Sequence, residues 1–122
     1  MRTTLLGILL ALGLCLSARG QYAASSFPLL TGTTNATGTA IFVEGNLYHT
    51  AHIVATGGTT NVATVVLRRS LDGTNWVNFA TNAIAGGSVA EVTATGCWSY
   101  ISATLTTTNS LLSVAVNYLG GK

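Results

Sequence analysis

Charge is what this chain has least of: 7% of its 122 residues are Asp, Glu, Lys or Arg, against roughly 25% in an average soluble domain. Five basic and three acidic side chains in all leave little material for acid–base catalysis, for phosphate binding or for a basic nucleic-acid footprint. Proline occurs once and cysteine twice, so neither a proline-rich linker nor a disulfide scaffold is present. The length admits one domain, with enough chain to bury a core unaided, and excludes a multidomain enzyme. No stretch sustains a helical period with caps.

The two ends of the chain differ in character. Met1-Arg2 gives a positive start, and Leu5 to Leu16 is an uncharged apolar run of twelve residues, too short to span a bilayer easily but suited to the core of an export signal. Ala18 and Gly20 stand at the −3 and −1 positions of a cut before Gln21. Residues 1–20 therefore read as a signal peptide and 21–122 as the mature chain, secreted to the cell surface or beyond it, or held in the periplasm. Leu14 ahead of Cys15 departs from the small residue that lipoprotein processing resembles.

Removing the leader leaves Arg68, Arg69 and Lys122 against Glu44, Asp72 and Glu91, a balance of zero. Weak self-repulsion of that kind favours association. It offers no electrostatic handle for nucleic acid or, once the leader is gone, for an anionic membrane surface. Cys97 is then the sole cysteine, so no intrachain disulfide can form.

From Thr39 onward the chain turns to short runs of β-branched and aromatic residues punctuated by Gly57-Gly58, Asp72-Gly73, Gly86-Gly87 and Gly96. These read as strands near 39–44, 47–56, 61–69, 75–80, 88–94, 97–106 and 111–119. About seven strands at this spacing predict an all-β protein, an antiparallel β-sandwich or jelly roll over 39–122. Residues 21–38, which carry the lone Pro28 and a Ser/Thr/Asn/Gly cluster without sustained periodicity, read as an extended arm or linker.

Alternation assigns faces. Leu112, Val114, Val116 and Tyr118 form a core set, as do Ala63, Val65 and Leu67, with Arg69 inward at a rim and Arg68 outward. In 97–106 the set Cys97, Ser99, Ile101, Ala103 and Leu105 opposes Trp98, Tyr100, Ser102 and Thr104, and either face could be the buried one. If Cys97 and Ile101 go inward, Trp98 and Tyr100 become an exposed aromatic pair. Outward positions are mostly Thr, Ser, Asn and Ala, which form strands well but lack the charges that discourage edge-to-edge pairing.

One local motif has a mechanism. In Ser70-Leu71-Asp72-Gly73-Thr74-Asn75-Trp76, Asp caps a turn, Gly takes the positive φ that a Cβ resists, and Trp76 begins a return strand where it can close the core. The segment resembles the Asp box of sialidase-like propellers, Ser-x-Asp-x-Gly-x-Thr-Trp, one residue shortened and present once. A propeller is too large for this chain. Together with Val62–Phe79, Gly86-Gly87, Ala94–Ile101 and Ser113–Val116, it is also similar to a β-sandwich module of tailed-phage and prophage virion proteins. That resemblance implies a structural or decoration role with self-assembly, and the leader favours a related module used outside the cell.

Catalytic readings find little support. His49 and His52 on a strand point to opposite faces and cannot share a metal. Glu44, Asp72 and Glu91 would need folding to bring two of them within roughly 5–10 Å to act as a glycosidase pair. No Gly-x-Ser-x-Gly elbow occurs, and nothing local supports a Cys97–His pair. The expectation is a non-enzymatic subunit without cofactor, associating with itself through charge-poor β surfaces or by exchange of the 21–38 arm. The competing expectation is a small glycan-binding module stacking sugars on Tyr48, Trp98 and Tyr100.

Overall fold

The computed structural model describes residues 25–107 and 111–122. Nine strands run in chain order: β1 (Ser25–Gly32), β2 (Ala36–Thr37), β3 (Ile41–Phe42), β4 (Tyr48–Thr56), β5 (Val62–Ser70), β6 (Val77–Ala85), β7 (Val89–Thr95), β8 (Tyr100–Thr107) and β9 (Ser113–Gly121). They form two antiparallel sheets, one ordered β1-β9-β4-β7 and the other β2-β8-β5-β6 with β3 also on β8. Since β2 and β3 both pair with β8, they are two halves of one interrupted edge strand. Counted so, the sheets run first–eighth–third–sixth and second–seventh–fourth–fifth, which is jelly-roll pairing.

The expected alternation is visible in the strands that make the core. Ala51, Ile53 and Ala55 of β4, Ala63, Val65 and Leu67 of β5, Ile101, Ala103 and Leu105 of β8, and Val114, Val116 and Tyr118 of β9 are all buried between the sheets. In β8 it is the Ile101 set that goes inward.

The segment 21–38 is not an arm ahead of the sandwich as far as it is described. Its residues 25–32 are β1, paired with β9, and Leu29 and Leu30 are core residues. Residues 21–24 and the expected signal peptide 1–20 lie outside the described residues. The physical reason for the difference is a bulge. The register jumps from Pro28↔Asn117 to Leu30↔Val116, so two successive leucines turn inward and the period-two signal disappears. Pro28 is tolerated because β1 is an edge strand.

Gly38, immediately after β2, marks a close approach to β1. Its N–H donates to the Ala103 carbonyl at 2.8 Å, and its own carbonyl accepts from Ser102 Oγ at 3.2 Å. A Cβ at this position would land on the Leu29 carbonyl, so only glycine permits the close approach of the two strands.

Candidate functional site

The Ser70–Trp76 segment is the β5–β6 connection, and its geometry follows from the residue types. Ser70 Oγ accepts the N–H groups of Asp72 (3.3 Å) and Gly73 (2.9 Å) and donates to Asp72 Oδ1 (2.9 Å). Asp72 Oδ1 also accepts from the backbone N–H groups of Thr74 (2.8 Å) and Asn75 (2.7 Å), while Oδ2 accepts from Asn75 Nδ2 (2.7 Å). Gly73 sits at φ 74°, a conformation that suits glycine. These donors, the Asn75 N–H first among them, hold the Asp72 carboxyl far below its ordinary value of 3.8.

That depression sets a pH dependence. A carboxylate whose pKa is lowered in the folded state contributes stability above its unfolded pKa and loses it as pH falls through the folded value. Asp72→Ala is therefore expected to melt below the parent protein at neutral pH, with the gap closing as the pH drops below the ordinary carboxylate value of 3.8. Thermal melts of both proteins across that range check it. A gap independent of pH would mean that the charge of Asp72 plays no part.

The three aromatics considered for sugar stacking do not come together. Tyr48 is 60% exposed, and stands on the outer face of the β4 sheet. Tyr100 is half-buried on the outer face of the other sheet, its ring 5.3 Å from that of Phe42 in an edge-on contact. Trp98 is only 6% exposed. It precedes β8 in irregular backbone, so the alternation that would have turned it outward with Tyr100 does not reach it. The expected exposed Trp98–Tyr100 pair is absent for that reason. Trp76, expected in the core, is half-buried at the surface with the Arg68 guanidinium 5.0 Å from its ring centroid.

Trp98 belongs instead to a buried aromatic and polar cluster between the sheets. Its indole stacks on His49 with centroids 4.1 Å apart and planes 14° from parallel, lies 4.7 Å from Phe79, and carries the Arg69 guanidinium at 5.1 Å. His49, 2% exposed, bonds at both ring nitrogens. Nε2 is 2.8 Å from the Gly96 carbonyl, and Nδ1 is 2.8 Å from Tyr118 Oη. A carbonyl can only accept, so Nε2 carries the proton. In the neutral ring Nδ1 then accepts from the Tyr118 hydroxyl, which in turn accepts from Asn46 Nδ2 at 3.3 Å. Burial pushes the Tyr118 pKa above its usual 10.0, opposed by the Asn46 bond.

No carboxylate joins this chain of bonds. His52 lies on the opposite face of β4, beside Glu91 and Asn117 across the ladders. No group of three His, Cys, Asp or Glu side chains among the described residues is placed to hold a metal. Cys97 is exposed. Alternation puts His49 and His52 on opposite faces, but nothing in the sequence marks Asn46, Gly96 and Tyr118 as neighbours of His49.

Fold and cluster together define an all-β jelly-roll sandwich whose buried histidine is hydrogen-bonded at both ring nitrogens. No protein-family model matches the chain, and no curated protein matches it. Among solved structures it is similar to the SPBc2 prophage-derived protein YomS, at 10% identity and a TM-score of 0.54, with 80% of this chain and 92% of that one covered. It is also similar to a protein of Bacillus endospore appendages, described as a family of disulfide-linked pili, at 19% identity and a TM-score of 0.50, with 84% and 91% covered. The Yersinia pseudotuberculosis-derived mitogen matches at 13% identity and a TM-score of 0.47, covering 80% and 85%. The likeness in each case is one of fold. No helix among the described residues is long and apolar enough to cross a membrane.

Proposed function

We propose that this chain is an exported, non-catalytic structural subunit that assembles with copies of itself by strand pairing along β6. The observation that carries this reading is the contrast between the four sheet edges. β1 is interrupted by Pro28 and its bulge, β2 and β3 are two residues each, and β7 carries Glu91 at its middle. Those are the usual guards against edge-to-edge pairing. β6 has nine residues, VNFATNAIA, with neither charge nor proline. Its ladder with β5 shifts register once, at Phe79, and is regular from Ala80 to Ala85, and its far side has no strand partner among the described residues.

A zero side-chain balance in the mature chain leaves nothing to hold copies apart. The appendage protein that shares the fold is described as forming pili, and the prophage protein that shares it comes from the source that the β-sandwich resemblance implies. Both agree with a structural subunit. In this reading the buried histidine cluster supports the sandwich and does no chemistry.

Light scattering and negative-stain imaging of the purified protein test the proposal. The parent is expected to form multi-subunit particles. Thr81→Lys with Ala83→Lys, two exposed positions of β6, should give a monomer that melts at nearly the parent temperature. A parent protein that stays monomeric at high concentration, or a double variant that assembles unchanged, would overturn it.

A further inference from the structure

At the end of the sandwich where β5 turns into β6, a cleft of about 480 Å³ opens beside Trp98. That volume falls in the range of roughly 300–1,000 Å³ typical of small-molecule sites. Its walls are apolar at Leu71, Val77 and Trp98, and Arg69 and Asp72 also line it. Leu71 and Val77 are 73% and 57% exposed, so they present apolar surface that a ligand would cover.

Arg69 supplies the chemistry. It is half-buried, and its guanidinium is held against the Trp98 ring, which is itself backed by His49. The guanidinium carbon lies 5.1 Å from the Trp98 ring centroid, which places the cation at the cleft wall. It has no carboxylate or carbonyl partner among the described residues, although a guanidinium offers five donors in a planar fork that matches a carboxylate. Asp72 does not take that role, because both of its oxygens are engaged by the turn. Its charge on the same wall works against a doubly negative ligand such as phosphate.

From this geometry we infer that the cleft binds a monocarboxylic acid with an apolar body, the carboxylate on Arg69 and the hydrocarbon against Leu71, Val77 and Trp98. The inference stands apart from assembly through β6, since a monomer would bind the acid equally well.

Cys97 lines the same cleft and is exposed, which provides a built-in reporter. Alkylation of the Cys97 peptide by iodoacetamide, in which the thiolate displaces iodide, is followed by mass spectrometry with and without hexanoate. At about 10 mM hexanoate, a concentration suited to so small a ligand, roughly threefold slower alkylation is expected. Hexanol and inorganic phosphate should give no protection. Arg69→Gln should abolish protection, and Leu71→Ser, on an exposed loop where folding is unaffected, should weaken it. Lack of protection by hexanoate, equal protection by hexanol, or full protection in folded Leu71→Ser would each overturn the inference.

Discussion

Trp98→Ala is expected to destabilise the protein by about 3–5 kcal/mol, the range for truncating a large buried aromatic. The indole is 6% exposed and touches His49, Phe79 and Arg69 on its faces and edges. Its removal opens a cavity bordered by an imidazole and a guanidinium, and neither can close over the space with apolar atoms. Trp76→Ala serves as the contrast. Trp76 is half-buried under a single arginine, so its loss should cost much less. Urea denaturation of the three proteins checks the pair, and a Trp98→Ala cost below that of Trp76→Ala would contradict the packing described. A protein that loses sugar retention on Trp98→Ala while keeping its fold would contradict it equally.

Tyr118→Phe is the second large effect, at about 1–3 kcal/mol. The change keeps the ring and deletes one oxygen, yet that oxygen serves two partners, the buried His49 Nδ1 and the half-buried Asn46 Nδ2. Without it the imidazole, only 2% exposed, keeps an acceptor with no protein donor. The penalty is for the group left behind, so it should depend on His49. In the His49→Phe background the same Tyr118→Phe substitution should cost less, with a coupling of about 0.5–3 kcal/mol in a double-mutant cycle. Additive effects would mean that the two side chains do not interact.

The sequence ranks the two tryptophans the other way round. Trp76 sits after an Asp-Gly turn, and a tryptophan opening a return strand is a reasonable closing residue for a core. In the structure the connection spans Leu71 to Trp76, and β6 begins only at Val77. Trp76 falls ahead of the ladder and is left at the surface. Alternation carried through 97–106 leaves the side of Trp98 open, whereas β8 begins only at Tyr100. Inside the true strand, Ile101, Ala103 and Leu105 obey the period and are buried.

What the sequence by itself determined was the class of fold and the buried faces of β5 and β9. Both rest on a local rule, the alternation of side chains along an extended backbone, which needs no knowledge of neighbours. The Ser70–Asp72–Gly73 turn was legible for the same reason, since its partners lie within three residues. Only the tertiary structure decided that β1 joins the sandwich, because a bulge hides the period and the pairing partner β9 is far along the chain. It also decided the histidine cluster, whose bonds join residues 47 to 72 positions apart. Such contacts are made by the pairing of β4 with β7 and β9, strands far apart in the chain, and no local pattern of residue types encodes them.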